Sequence, residues 1–391
     1  MVEASSIFSS ENSRRLPWAG LVTLLLVVVF ELVHDSGMVW THLLGRVSVA
    51  QDLGASKLVR EQMLKRGLGI DNMTPSVLVP GTSRALAGIR NDILSGEIPS
   101  LRILQLARPG MEPFQLLSSS IDVASQGPDV ALLTISEFDV FRPLRVEPVS
   151  DRGAGGTEAL AILVDALSPR QVWRSRDSLL RLAAASASDV YRFRGLHRHV
   201  WSGKVTEFDL SRFANADSPR QNLGLTESML SGGAAEPLDP DVVAAILARF
   251  PDNMLKPTIE PFQIPMIREI VDGEHARIQA ALLRAAVARL VEAQVEVILL
   301  ETPLHPVTSE LYDITLGEDF RELAREIAAS PRVTFIRPQT DFEPEDFGDL
   351  LHLSASGAEK LTRSSLPELS RILDERLRFP HTGTRADTGK P

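Results

Sequence analysis

Short apolar runs alternate with apolar residues at helical spacing along most of the chain, and this pattern predicts an α/β protein. Helices are expected over residues 85–94, 112–124, 275–293, 320–329 and 355–377. Strands are expected over residues 76–79, 101–107, 129–135, 295–300 and 333–336. Strands that alternate with helices form a parallel sheet covered on both faces, and active sites of such folds lie beyond the carboxyl ends of the strands.

The alternation stops over residues 143–260, which we interpret as an insertion that caps the sheet edge or the mouth of the site. Two helical stretches are expected there, at about 158–166 and 170–200, before a loop over 214–240 that is rich in Pro, Gly, Ser and Asn. The remaining boundaries predict a helical linker, an α/β domain that contains the insertion, and a flexible tail, over residues 35–74, 75–378 and 379–391.

One N-terminal run is apolar on all faces and predicts a single transmembrane anchor over residues 17–34. Arg14 and Arg15 precede it, so the positive-inside tendency places residues 1–16 in the cytoplasm and the bulk of the chain outside, in the periplasm or at the cell surface. A cleaved signal peptide and a buried core helix are the alternatives. Glu31 and the absence of an Ala-x-Ala-like cleavage site favour the anchor.

The composition of the chain excludes several classes of partner, nucleophile and cofactor. The 391 residues include 41 Lys and Arg against 51 Asp and Glu, a net charge of −10 that argues against a nucleic-acid partner held by bulk positive charge. There is no cysteine, so thiolate nucleophiles and cysteine-ligated metals are excluded. No P-loop, Gly-x-Gly-x-x-Gly motif or metal-ligand spacing occurs, and we therefore expect no cofactor.

A serine follows the first predicted strand, in the block Gly81-Thr82-Ser83. On a tight turn there, its hydroxyl would lie over the sheet edge and the next helix would offer N–H groups to an oxyanion. The alternative is that Thr82 or Ser83 only caps that helix.

A second block, Asp349-Leu-Leu-His352, stands just before the last predicted helix. The carboxylate can hold imidazole Nδ1, which leaves Nε2 to take a proton from a serine hydroxyl. The alternative is a loop aspartate that caps a turn beside a surface histidine.

In order and placement, the two blocks resemble the SGNH (GDSL-like) hydrolase superfamily, over about residues 75–140 and 265–378. The resemblance implies a three-layer α/β/α flavodoxin-like fold with Ser83, Asp349 and His352 as catalytic residues. Gly110 stands where that superfamily has its oxyanion-hole glycine, so the backbone N–H groups of Ser83 and Gly110 would bind the oxyanion.

The chain departs from the superfamily pattern at two places. Thr82 replaces the aspartate of the first block, and the Gly-x-Asn-Asp block after the third strand is absent. Ser136 is the candidate replacement for the missing asparagine donor, and loss of one oxyanion donor costs about 10²–10³ in rate.

An N-terminal anchor joined to a divergent domain of this kind resembles bacterial membrane-anchored proteins of exopolysaccharide modification, including alginate O-acetylation. This resemblance implies an esterase or O-acyltransferase that acts on a glycan or cell-envelope polymer, beside a membrane-bound O-acyltransferase. A non-catalytic glycan-binding or scaffold protein with the same fold is the alternative.

Two further residues near the predicted strand ends are weaker candidates for substrate binding. Arg84 could hold a substrate carboxylate, or it could form a structural ion pair. His305, in Pro303-Leu-His305-Pro306, could contact substrate or an anion, or pack in a rigid loop.

Overall fold

A computed structural model of the chain describes most of the predicted α/β domain. The described ranges are residues 75–98, 101–107, 111–124, 128–141, 156–188, 273–311 and 314–378, with five single positions between 22 and 32. The predicted linker at 35–74, the loop at 214–240, the tail at 379–391 and Gly110 all lie outside these residues.

Within the described residues, five parallel strands form one sheet in the order β2-β1-β3-β4-β5. The strands are β1 (Ser76–Val79), β2 (Arg102–Gln105), β3 (Val130–Ile135), β4 (Glu296–Glu301) and β5 (Val333–Ile336). The central strands are apolar on both faces because both faces are covered, as parallel sheets require. The predicted α/β class and parallel sheet are thereby confirmed.

Helices follow each strand. They are α1 (Ser83–Gly88), α2 (Asn91–Glu97), α3 (Pro113–Ala124), α4 (Glu137–Phe141), α5 (Thr157–Ala166), α6 (Pro169–Arg174), α7 (Arg176–Ala187), α8 (Gly273–Glu292), α9 (Pro306–Leu311), α10 (Ile314–Ala328) and α11 (Ala355–Arg378). A 3₁₀ turn, Pro344–Asp346, precedes α11.

The core consists of two apolar layers, one on each face of the sheet. Leu78 belongs to the layer that α3, α8 and α10 cover, whereas its neighbours Val77 and Val79 belong to the layer under α11. This alternation is the period-two geometry of a strand. Because the strands are parallel and β1, β3 and β4 are neighbours, the turns that follow these three strands lie together at the carboxyl edge of the sheet.

One predicted helix, at 85–94, is wrong in detail because the structure has two short helices there. Ile89 has extended backbone and ends α1, while the Arg90 N–H donates to Thr362 Oγ1 of α11 at 2.9 Å. A bond to a distant helix therefore replaces the local helical bond. The helices α4 and α9 were not predicted.

The described part of the insertion is helical, as predicted, but the stretch expected over about 170–200 is divided at Ser175 into α6 and α7, and α7 ends at Ala187. Ala159 and Leu163 of α5 are buried against α3 and α8. Ser168 caps α6 in a reciprocal capping box with Gln171, and Pro169 occupies the first helical position. These helices therefore extend the α3–α8 layer.

The predicted anchor is described at only five helical positions, and all five side chains are exposed: Val22, Leu25, Val28, Val29 and Leu32. Among the residues that the structure describes, no helix is both long enough and apolar enough to cross a bilayer.

Candidate active site

The turn after β1 presents Ser83 at the first position of α1. Gly81 has φ +147°, and a Cβ there would lie 2.7 Å from the Cβ of Ala85, so this tight turn requires glycine. The Thr82 hydroxyl accepts the Arg84 N–H at 3.1 Å and caps α1. With Thr82 serving as the cap, the hydroxyl of Ser83 is left for other partners and is partly exposed.

The loop before α11 forms a tight, self-bonded turn around Asp349. Asp349 Oδ1 accepts the backbone N–H groups of Leu351 and His352, each at 2.8 Å. The Gly348 N–H donates to the His352 carbonyl at 2.8 Å, and Phe347 forms an antiparallel bridge with Leu353. The carboxylate and the imidazole are therefore fixed relative to each other by the backbone.

The two blocks meet at the carboxyl edge of the sheet. His352 Nδ1 lies 3.0 Å from both carboxylate oxygens of Asp349, and His352 Nε2 lies 2.8 Å from Ser83 Oγ. An ionised carboxylate only accepts hydrogen bonds, so Nδ1 carries the imidazole proton and Nε2 accepts the serine hydroxyl. This is the geometry that a general base needs to deprotonate a nucleophile.

Burial and hydrogen bonding act in opposite directions on Asp349. Burial alone would raise the pKa of this carboxyl group, but the imidazole of His352 and the two backbone N–H donors hold the pKa below its usual value. Asp349 is therefore ionised at neutral pH. A buried negative charge beside the imidazole would also stabilise an imidazolium if the histidine accepted a proton from Ser83.

One expected oxyanion donor is present in the described residues. The Ser83 N–H lies at the start of α1, where it has no helical partner, and it donates to no acceptor in this part of the chain. It is thus free to bind an oxyanion above the helix N-terminus. Gly110, the second expected donor, lies outside the described residues.

Arg84 is buried at the centre of the strand-end turns. Its guanidinium group donates to three backbone carbonyls and two side chains: Leu351 O at 3.2 Å, Thr302 O at 3.1 Å, Pro303 O at 2.9 Å, Asp139 Oδ2 at 3.2 Å, and Ser136 Oγ. These five bonds use all five guanidinium N–H groups. The structure thus shows the structural ion pair that the sequence left open as the alternative to substrate binding by Arg84.

The hydroxyl of Ser136 is engaged in the same network. Ser136 Oγ is fully buried, accepts the Phe138 N–H at 3.2 Å and lies 3.2 Å from Asp139 Oδ2. A hydroxyl has one proton, and Asp139 is the acceptor that receives it. In this arrangement Ser136 does not fit the role of a substitute oxyanion donor.

His305 packs inside the turn after β4. Its Nδ1 accepts the Val307 N–H at 3.1 Å, and its ring makes an edge contact with Phe347, with the ring centres 5.2 Å apart. Burial lowers the pKa of His305 to about 4, although the charges of Asp349 and Glu345 oppose this shift. The imidazole is therefore neutral at pH 7 and supplies no positive charge for an anion, which matches the alternative of a packed loop residue.

Two residues that support the site were not singled out from the sequence. Asp139 completes the buried ion pair with Arg84, and Gly357 lets α11 contact the preceding 3₁₀ turn. A Cβ at Gly357 would lie 2.0 Å from the Asp346 carbonyl oxygen. Glycine at the start of a predicted helix was the available signal for Gly357. The signal for Asp139 was its position in the turn after the third predicted strand, at the edge of the sheet where sites of this fold class lie.

Neither a scan against models of protein families nor a search of the curated proteins finds a match for this chain.

Proposed function

We propose that the chain is a serine hydrolase or O-acyltransferase that uses Ser83 as nucleophile, His352 as general base and acid, and Asp349 to orient the imidazole. The observation that carries this proposal is the continuous chain of contacts from Ser83 Oγ to His352 Nε2 at 2.8 Å and from His352 Nδ1 to Asp349 at 3.0 Å. Three side chains from two distant segments thereby form the arrangement of nucleophile, general base and orienting carboxylate that acyl transfer uses, in which the proton moves only between the serine and the imidazole.

The reaction that follows from this geometry has two halves. Ser83 Oγ attacks an acyl carbonyl while His352 Nε2 takes its proton, and the negative oxygen is held by the Ser83 N–H. The tetrahedral species collapses to an acyl-serine as the imidazolium protonates the departing alcohol. Water or a second hydroxyl then attacks the acyl-serine, with His352 again as base, which regenerates Ser83 and releases an acid or a new ester.

Membership of the SGNH superfamily is part of the proposal. It is supported by the Gly81-Thr82-Ser83 and Asp349-Leu-Leu-His352 blocks, and by the strand order, which is the flavodoxin-like order 2-1-3-4-5. In that fold the site lies where the strand order reverses, beside β1 and β3. Ser83 follows β1 directly.

The cellular setting is proposed from the sequence alone. The apolar run at 17–34 and the arginines before it support a single-pass anchor with the bulk of the chain extracytoplasmic. The resemblance supports acyl esters of a glycan or cell-envelope polymer as the substrate, and a membrane-bound O-acyltransferase as the partner.

The decisive experiment compares Ser83→Ala with Ser309→Ala. Ser309 is an exposed serine on α9 at the same sheet edge, and its hydroxyl makes no hydrogen bond within the described residues. We expect Ser83→Ala to lose fluorophosphonate labelling and to lower ester turnover by at least about 10⁴-fold, with the thermal melt unchanged. Ser309→Ala should behave as the wild type. Retained turnover in Ser83→Ala would refute the proposed nucleophile.

The scaffold alternative is favoured by one observation, the engagement of the Ser136 proton by Asp139 where the superfamily has an oxyanion donor. It predicts that the wild-type chain neither labels nor turns over esters, even when it is co-expressed with a membrane-bound O-acyltransferase. Labelling that depends on Ser83 would exclude this alternative.

A further inference from the structure

A basic and apolar surface lies on the insertion, remote in sequence from the proposed catalytic residues. We call it the α6–α7 face. It is formed by Arg170, Trp173, Arg174, Arg176 and Leu180, and Arg181 follows at its border on α7; all six are exposed.

The face is continuous. Arg170, Trp173 and Arg174 share one side of α6, because they are three and four positions apart. The guanidinium carbon of Arg176 lies 4.5 Å from the ring centre of Trp173, a cation–π contact that joins the two helices. Leu180 follows Arg176 by one turn on α7, so it lies on the same side as that contact.

Two large apolar side chains of the α6–α7 face are unusually open to water. Trp173 is 69% exposed and Leu180 is 68% exposed. Two other leucines of α7, Leu179 and Leu182, are buried, as apolar residues of a packed helix usually are. The helix therefore has its packed side already filled, and Leu180 is an additional apolar residue on its outer side.

Charge sets this face apart from the rest of the chain. From Ser168 to Ser188 there are four arginines and one acidic residue, Asp177, whereas the whole chain has a net charge of −10. Asp177 lies 3.7 Å from Arg176. The guanidinium groups of Arg170, Arg174 and Arg181 make no ion pair or hydrogen bond within the described residues.

Most other surface arginines of the described residues are neutralised by carboxylates, as in the pairs Arg90–Asp92, Arg284–Glu326, Arg332–Glu296, Arg363–Glu359 and Arg371–Glu375. On the α6–α7 face the arginines instead accumulate around an exposed tryptophan and leucine. Such a face is complementary to a surface that is negatively charged outside and apolar beneath.

We propose that the α6–α7 face docks on the headgroup region of an anionic lipid bilayer, a role that goes beyond the proposed acyl chemistry. Trp173 and Leu180 would enter the boundary between headgroups and acyl chains, where tryptophan is favoured. The arginines would pair with lipid phosphates, each contributing attraction that salt screens. Exposed tryptophan and leucine favour a bilayer over an acidic polysaccharide, which has no apolar interior to receive them.

The absence of cysteine makes the test direct, because one introduced cysteine takes all of a thiol-specific label. The full chain would carry Leu180→Cys or, as control, Asp374→Cys on the exposed side of α11. Each is labelled with an environment-sensitive fluorophore and placed in nanodiscs of phosphatidylcholine, with or without phosphatidylglycerol. Collisional quenching by iodide in water then reports the access of each label.

We expect the label at position 180 to be shielded and blue-shifted only in the anionic nanodiscs. Shielding should be lost in 1 M salt, where the screening length is about 3 Å, and in the triple variant Arg170→Gln/Arg174→Gln/Arg181→Gln. The control variant Arg277→Gln/Arg325→Gln, which removes two exposed arginines of α8 and α10 that form no ion pair with another described residue, should keep this shielding. The label at position 374 should remain accessible to iodide in both kinds of nanodisc.

Three results would overturn the proposal. Equal quenching of the labels at 180 and 374 in anionic nanodiscs would show that no bilayer contact forms. Equal shielding of position 180 in the nanodiscs without phosphatidylglycerol would show that anionic headgroups are not what covers the face. Shielding by soluble anionic polysaccharide, without any effect of lipid, would assign the face to a glycan instead.

Discussion

The turns after β1 and β3 have the same local hydrogen bonding but differ in exposure and in the side chains that they contact. In the first, Thr82 Oγ1 accepts the N–H of the residue two positions on at 3.1 Å; in the second, Ser136 Oγ does the same at 3.2 Å. Each turn begins a short helix at the same edge of the sheet. The first leaves a partly exposed serine beside an imidazole, whereas the second is buried around an ion pair.

The turn after β4 has the same local design, with His305 Nδ1 accepting the Val307 N–H at 3.1 Å. One capping motif thus occurs beside the proposed nucleophile, in a buried ionic network and in a turn that packs an imidazole. The difference comes from the partner that reaches each turn from elsewhere: His352 for the first, Arg84 for the second, Phe347 for the third. A short motif is therefore interpretable only together with its long-range contacts.

The largest contrast should appear between the two aspartates. Asp349→Asn should lower ester turnover by about 10⁴-fold, because an amide no longer stabilises the imidazolium or fixes its tautomer. Asp139→Asn should act mainly on the free energy of unfolding, since Asp139 contacts Arg84 and Ser136 but not the histidine. Turnover per folded molecule and urea unfolding separate the two effects. An equal loss of turnover in both variants would show that Asp139 does not act mainly on stability.

Removing the link between the two turns should have the next largest effect. Arg84→Met leaves the buried Asp139 carboxylate without its cation, and should lower the free energy of unfolding by about 3–5 kcal/mol. The double variant Arg84→Met/Asp139→Leu should recover part of this loss, because it removes the stranded charge. Chemical denaturation measures both. A fully stable Arg84→Met with a raised KM would instead point to substrate binding.

The third turn should respond to acid. The folded-state pKa of His305 is about 4 against 6.5 for an ordinary histidine, so between these values the unfolded chain binds the extra proton and stability falls as the pH falls. At pH 4 this group should cost about 3 kcal/mol relative to pH 7. His305→Asn keeps an acceptor for the Val307 N–H but does not titrate, so its stability should fall less on acidification. If the free energy of unfolding fell equally with pH in the wild type and in His305→Asn, His305 would not be the group responsible.

The sheet was predictable because its three central strands, β1, β3 and β4, are buried on both faces. Runs such as Val130–Ile135 and Glu296–Glu301 are almost continuously apolar, and such runs are typical of parallel strands. The helices α4 and α9 were not predicted, because five or six residues are too few to show the periodicity of a helix. The end of α1 at Ile89 was not predicted, because the residue that causes it, Thr362, is far away in the sequence.

The proximity of Ser83, Asp349 and His352 followed from two local motifs and from their order in the superfamily that the sequence resembles. The network around Arg84 did not, because three of its five acceptors are backbone carbonyls, those of Thr302, Pro303 and Leu351. Any residue supplies a carbonyl, so residue identity at those positions contains no signal. Only the folded geometry shows that the arginine is enclosed.

The bond between Ser83 and His352 spans 269 positions of the chain. All five strands precede Asp349 in the sequence, so a ribosome makes the complete sheet before it makes the proposed base. A nascent or truncated chain that ends after β5 would therefore contain the serine on its turn but no group to deprotonate it. Under the proposed function, acyl chemistry would therefore become possible only after the segment from Asp349 to the end of α11 has been made and has folded.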